Sequence, residues 1–264
     1  MIHFVGAGCG APDLITVRGL RLLEQADVII YAGSLVNPEL LQNAKEGCEI
    51  FNSAKMTLDE VIAVMQRAEA ESKTVVRLHT GDPSIFGAIR EQADRLDALG
   101  IAYDICPGVS SFCGAAAALR AEYTLPEVSQ TVILTRMAGR TPVPEREQIR
   151  ALAAHHATMV IFLSAGMTEV LSSELIAGGY EPDTPAAIVY KASWQDEKIC
   201  RCTVGTLAEN AQKYGIHKTA LITVGNFLGN DYALSKLYDP AFETEFREAV
   251  YGKIEKQKKG SKSA

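Results

Sequence analysis

The stretch Val76-Arg77-Leu78-His79-Thr80-Gly81-Asp82-Pro83-Ser84-Ile85-Phe86-Gly87 constrains this chain more than any other segment. It reads as an apolar strand, a Gly-Asp-Pro turn and the start of a helix. Gly81 permits a tight backbone. Pro83 suits the first turn of a helix, where a missing N–H costs nothing. Asp82 is then held at the carboxyl end of a strand, the edge on which open α/β sheets bind their ligands. An Asp before a Pro is also a common helix start with no further role. The tripeptide alone leaves both readings open.

The surrounding pattern alternates. Short apolar runs at Ile2–Val5, Val28–Tyr31, Glu49–Phe51, Thr74–His79 and Tyr103–Cys106 read as strands. Between them, helical periodicity covers Thr16–Gln25, Pro38–Ala44, Leu58–Glu71 and Phe86–Leu99. Thr57 and Glu60 have capping-box spacing. Such alternation implies an α/β domain with a largely parallel sheet. A second series follows, with strands at Thr131–Leu134, Thr158–Leu163, Ala186–Tyr190, Lys198–Thr203 and Ala220–Val224. Its helices are expected at Glu145–His155, Met167–Ile176 and Leu207–Tyr214. The 264 residues suffice for two domains of roughly 100–150 residues each. The boundary is expected near 120, giving domains over 1–120 and 121–252, with a basic, disordered tail over 253–264.

Composition narrows the function classes. Apolar residues make up 47% of the chain, enough for a sizeable core. The formal net charge of −6 argues against nucleic-acid binding through a general basic field. No apolar run reaches the ~20 residues of a membrane helix. The chain enters a strand pattern at once, without a basic-then-apolar leader, so a cytoplasmic location is expected. The six cysteines are scattered and contain no Cys-x-x-Cys pair, so no metal site is expected. His155 and His156 read as a solvated helix end rather than a ligand pair.

The first strand runs into Val5-Gly6-Ala7-Gly8-Cys9-Gly10-Ala11-Pro12-Asp13. Gly6 and Gly8 suit the dinucleotide-binding fingerprint. However, Pro12 and Asp13 follow Ala11 at once, and the helix starts near Thr16, a candidate N-cap. The second strand also lacks a closing acid for a ribose, ending Ile30-Tyr31-Ala32-Gly33. A nicotinamide-dependent oxidoreductase is the alternative from another class.

Taken together, these loops resemble the signatures of the tetrapyrrole (corrin/porphyrin) methyltransferases. Gly6–Asp13 with Leu14–Leu23 looks like the first signature and Thr80–Gly87 like the second. Pro107-Gly108-Val109-Ser110-Ser111 looks like the third. Ile161–Ser164, Pro185–Val189 and Thr219–Gly225 also match, in order. Tyr31-Ala32-Gly33-Ser34-Leu35-Val36, His79–Gln92 and Leu134–Met137 resemble the precorrin-4 C11-methyltransferases, the cobalt-precorrin-4 enzymes included. One loop departs: the family usually has Pro-Gly-Asp-Pro where this chain has Cys9-Gly10-Ala11-Pro12, which removes any acidic role at position 11.

The resemblance implies two α/β domains, each a mixed sheet flanked by helices, with the active site in the cleft between them. It implies methylation of C11 of precorrin-4 or cobalt-precorrin-4 in cobalamin biosynthesis. Other corrin-ring or uroporphyrinogen methylations are the alternatives within the family. The cofactor implied is S-adenosylmethionine, with S-adenosylhomocysteine as product. Cys9, Thr80, Gly81, Asp82, Ile85, Ser110 and Ser111 would line its site from the first domain. Leu163, Ser164, Ala192, Thr219 and Ala220 would do so from the second. The tetrapyrrole carries many carboxylates, which suit Arg77, Arg136 and Lys191, with Arg18 and Arg140 as further cations near the loops. Tyr31 and Ser34 are the other expected substrate contacts. Methyl transfer needs positioning more than acid–base groups, so no catalytic residue is singled out. Related enzymes imply a homodimer. No nucleic acid or membrane partner is expected.

Overall fold

The computed structural model describes residues 1–250, apart from the side chain of Ser34; the expected tail lies outside the described residues. The first half runs β1 (Ile2–Gly6), α1 (Val17–Gln25), β2 (Val28–Tyr31), β3 (Glu49–Asn52), α2 (Leu58–Ala70), β4 (Val75–His79), α3 (Arg90–Ala98), β5 (Tyr103–Cys106) and α4 (Ser111–Leu119). Local chemistry explains most of these limits. Thr16 caps α1 by accepting from the Gly19 N–H at 3.0 Å. Thr57 and Glu60 form the expected capping box on α2. The segment after Pro38 is a 3₁₀ helix rather than an α-helix.

The strands form a sheet of order β3-β2-β4-β1-β5, parallel in every pairing. The chain leaves β1 toward β2 on one side and leaves β4 toward β5 on the other. Connections that leave neighbouring strands in opposite directions mark a topological switch point, and the loops that follow β1 and β4 meet at its carboxyl edge. Gly6 and His79 are register partners there.

The second half runs β6 (Val132–Arg136), α5 (Ile149–Ala153), β7 (Thr158–Phe162), α6 (Thr168–Ala177), β8 (Pro185–Tyr190), β9 (Lys198–Thr203), α7 (Leu207–Lys213) and β10 (Ala220–Val224). Its sheet has order β6-β7-β10-β8-β9. β6 pairs parallel with β7, and the other three pairings are antiparallel. The mixture of strand directions is thus confined to this sheet.

Each sheet buries both faces. Ile2, Phe4, Val28, Ile30 and Val75 pack against Val61, Ile62 and Met65 of α2. Val5, Ile29, Val76 and Leu78 pack on the opposite face with Leu23 of α1. In the second half, Met159, Ile161, Ile188 and Ile222 meet α5, α6 and α7. The other face, with Val160, Phe162, Val189 and Leu221, packs against Ala115 and Leu119 of α4. Each fully buried Ile, Leu or Phe contributes roughly 1.5–3 kcal/mol of transfer free energy. α4 therefore follows the first sheet in sequence but shares its core with the second. Arg201 of β9 ties its far end by donating to the Leu119 carbonyl at 2.6 Å. Among the described residues no helix is long and apolar enough to cross a membrane.

One expectation fails at the most informative loop. No helix starts at Phe86. Residues 83–86 form a turn and α3 begins only at Arg90. Phe86 and Ala88 take left-handed φ values of 55° and 49°, which break the helical path. Pro83 therefore sits in a turn, not at a helix start.

Candidate functional site

Three glycine-bearing loops meet at the carboxyl edge of the first sheet. Gly8 and Gly81 exchange main-chain hydrogen bonds, Gly81 N–H to Gly8 O at 2.9 Å and Gly8 N–H to Gly81 O at 3.3 Å. A Cβ on Gly6 would lie 2.6 Å from both Gly108 Cα and Gly81 O. The backbones touch because side chains are missing at all three contacts. Gly6 and Gly108, which the sequence reading placed in signature loops but not among the site residues, are thus structural parts of the site.

The loops line a cleft of about 550 Å³ between the two sheets. Of the expected cofactor residues, Cys9, Thr80, Gly81, Ile85, Ser110, Ser111, Leu163, Ala192, Thr219 and Ala220 line it. Ser110 occupies the N-cap position of α4, yet its side chain makes no capping bond. The first N–H groups of that helix have no intrahelical partner, and both serines face the cleft. The Thr80 hydroxyl is buried without a hydrogen-bond partner among the described residues.

Asp82 and Ser164 stand behind the wall instead of in it. Asp82 Oδ1 accepts from the Ser84 N–H at 2.8 Å and from the Ser84 hydroxyl, while Oδ2 accepts from the Gly108 N–H at 2.8 Å. Burial raises the Asp82 carboxyl, but these hydrogen bonds outweigh it and leave the group below the usual carboxylate range. Ser164 is fully buried. Its hydroxyl donates to Phe162 O at 2.7 Å and accepts from the Met137 N–H at 3.0 Å.

Among the expected substrate residues, Arg77 and Lys191 line the cleft. Arg77 is buried, donating from Nε to Gln92 Oε1 at 3.0 Å and from Nη1 to Ile30 O at 3.2 Å. Burial pushes its pKa down to about 10, still well above neutrality. Lys191 pairs with Asp196 at 2.7 Å and lies 4.9 Å from the Trp194 ring centroid. Arg136 is placed otherwise. Its guanidinium donates to the carbonyls of Met137, Thr141 and Pro142 and so folds its own loop. Tyr31 is not part of the wall; it packs into the first core and its carbonyl accepts from Ser53 Oγ. Arg18 and Arg140 are exposed outside the cleft. The Ser34 side chain lies outside the described residues.

Two features of the cleft go beyond the sequence reading. Among the described residues its wall carries Arg77, Lys191 and Lys218 but no Asp or Glu. In addition, Phe86, Leu163, Lys191 and Thr219 all line it with φ between 46° and 55°. Left-handed backbone at non-glycine residues is strained by about 1–3 kcal/mol each and gathers at functional sites. Leu163 and Lys191 directly follow β7 and β8, and Thr219 directly precedes β10. The strain therefore turns the second sheet's loops into the cleft. Gly10 completes the closure: a Cβ there would lie 2.6 Å from Trp194 Nε1. The Ala11 N–H also donates to Ser193 Oγ at 2.9 Å.

The dinucleotide alternative fails on this geometry. After Gly6 and Gly8 the chain makes a 3₁₀ turn over Pro12–Leu14, and α1 starts only at Val17. No helix N-terminus follows the glycines directly, as a pyrophosphate site requires.

Comparison with known proteins agrees with this architecture. Residues 1–208 match the family model of the Tetrapyrrole (Corrin/Porphyrin) Methylases. The chain is 58% identical over 249 residues to a cobalt-precorrin-4 C(11)-methyltransferase of Methanocaldococcus jannaschii, covering 94% of this chain and 96% of that one. Among solved structures, a cobalamin biosynthetic enzyme, the cobalt precorrin-4 methyltransferase CbiF, superimposes with a TM-score of 0.85 at 48% identity, over 87% of this chain and 96% of that one. A uroporphyrin-III C-methyl transferase from Thermus thermophilus, complexed with S-adenosyl homocysteine, gives a TM-score of 0.72 at 26% identity, over 86% and 93%.

Proposed function

Because the chain belongs to the tetrapyrrole (corrin/porphyrin) methylases, we propose that it methylates C11 of precorrin-4 or its cobalt form, using S-adenosylmethionine, in cobalamin biosynthesis. The observation that carries this reading is the identity of 58% across nearly the full length of a cobalt-precorrin-4 C(11)-methyltransferase. The cation-bearing cleft, with no carboxylate among its described lining residues, supports it, because the substrate is a polycarboxylate.

The residues present fit the cofactor. Ser110, Ser111 and the open N-terminus of α4 suit its carboxylate. The orphaned Thr80 hydroxyl offers a polar contact. Gly81, with its small profile, lets a ligand approach the backbone. Leu163, Ala192, Thr219 and Ala220 complete the pocket from the second sheet. When bound, S-adenosylmethionine supplies a methyl group on a sulfonium and leaves as S-adenosylhomocysteine.

The protein's part is to position, hold and dry. Arg77 and Lys191 orient the tetrapyrrole through its carboxylates. Holding two reactants in line supplies on the order of 7–11 kcal/mol. Phe86 and Phe162, 5.2 Å apart between ring centroids, close an apolar wall against water. Asp82 and Ser164 act as braces for the lining loops. We assign the chain units over 1–120 and 121–252, a homodimeric assembly and a cytoplasmic location on the same family grounds.

The test is incubation with methyl-labelled S-adenosylmethionine and either precorrin-4 or cobalt-precorrin-4, followed by location of the label. Label at C11 is expected. Label at another ring carbon, or none with both substrates, overturns the assignment.

A further inference from the structure

His79 closes β4 with its side chain almost wholly buried, 3% exposed, and it lines the cleft. Its ring is stacked on Phe4 with centroids 6.0 Å apart, so its orientation is set by the core. Nε2 has no hydrogen-bond partner among the described residues. A buried polar atom left unpaired is destabilising unless something arrives to satisfy it. Arg77 stands two residues earlier on the same strand, hence on the same face. It carries five N–H donors, of which the Gln92 and Ile30 contacts use two. Among the described residues no Asp or Glu lines the cleft to pair with either residue. The corner therefore offers one fixed cation and one fixed imidazole, both unmatched by an anion.

We propose that His79 and Arg77 together clamp one carboxylate arm of the tetrapyrrole, with His79 Nε2–H donating to the carboxylate that Arg77 holds by charge. This rests on the tetrapyrrole reading of the cleft. Burial, with Arg77 beside it, keeps the imidazole neutral, with a pKa near 3. A neutral ring has a single N–H, and the clamp places it on Nε2. The clamp is held from behind by Gln92, which accepts from Arg77 and donates from Nε2 to Ala88 O at 2.9 Å. The same side chain thus anchors both the cation and the left-handed turn of the cleft wall.

The experiment compares the parent protein with His79→Phe and His79→Gln. Phe keeps the ring shape without a donor, and Gln replaces an N–H at nearly the same reach. KM for cobalt-precorrin-4, kcat, and S-adenosylhomocysteine affinity are measured on all three. His79→Phe is expected to raise KM about 10- to 100-fold, the range of a hydrogen bond to a charged group. His79→Gln should recover part of that, and homocysteine-cofactor affinity should stay within about twofold. An unchanged KM in His79→Phe overturns the clamp. So does a fall in kcat at constant KM, which would mark a proton acceptor. Loss of cofactor affinity in both variants also overturns it, since His79 would then be packing alone. A parent protein that methylates neither precorrin-4 nor its cobalt form would instead refute the functional reading beneath it.

Discussion

The Gly108 N–H donates to Asp82 Oδ2 at 2.8 Å, a bond that joins the loop after β4 to the loop after β5. With Oδ1 committed to Ser84, both carboxylate oxygens are engaged within the scaffold. The most conspicuous acid of the sequence is therefore a brace. It sets where Gly81 and Ser110 stand, side by side on the first sheet's wall of the cleft.

Asp82→Ala should lower stability by about 2–3 kcal/mol, the scale of losing hydrogen bonds to a charged acceptor. S-adenosylhomocysteine affinity should fall as well, because the two loops lose their tie. Urea denaturation and calorimetry on the same variant test this. A variant as stable as the parent would show that the brace is redundant.

Gly81 has φ of 63°, and a Cβ on it would sit 3.4 Å from Ser110 Cα. Space is available, so conformation is the penalty. Gly81→Ala should destabilise by about 1–2 kcal/mol, the strain of an L-residue in the left-handed region. Gly81→Val adds bulk at the cleft wall and should abolish homocysteine-cofactor binding while the fold persists. Gly108→Ala should be worse for folding, because its Cβ would lie 2.7 Å from Gly6 Cα. Circular dichroism separates the two sites; a well-folded Gly108→Ala protein would contradict the close-packing argument.

Arg136→Ala should leave tetrapyrrole KM and cofactor affinity within about threefold but lower stability by about 1–2 kcal/mol, from three lost bonds to its own loop. Thermal denaturation and steady-state kinetics decide it. A tenfold rise in KM at unchanged stability would restore Arg136 to the substrate site.

His79 also predicts a pH dependence. Its folded pKa of about 3 lies below the ordinary 6.5 because of burial and then Arg77. The unfolded chain therefore binds a proton that the folded one refuses. Stability from this group is complete above pH 6.5 and is lost as pH falls toward 3. Between pH 7 and pH 5 the loss should be about 2 kcal/mol. Carboxylates contribute their own acid losses, so the readout is the difference between the parent and His79→Phe in urea denaturation across that range. Parallel pH profiles would mean that His79 titrates normally.

Much of the fold was legible in the chain because its causes are local. The apolar runs that became β1 to β10 alternate with helical periodicity, and Thr16 and Thr57 cap the helices they precede in sequence. The family resemblance was legible for a related reason: Gly6, Gly8 and Gly108 answer to backbone contacts that leave no room for a Cβ, and Gly81 to a left-handed φ. What tertiary structure alone decided is where each polar group finds its partner. Asp82 meets Gly108, 26 residues on; Ser164 meets Met137; Arg136 turns back on its own loop; and α4 takes its core from the second sheet. The helix expected from Phe86 was delayed to Arg90 by left-handed residues whose identities do not advertise that conformation. Spacing along the chain sets which way a side chain points, but only folding sets what it points at. Hence most of the residues that line the cleft could be read from the sequence, whereas their division into wall, brace and unpaired donor could not.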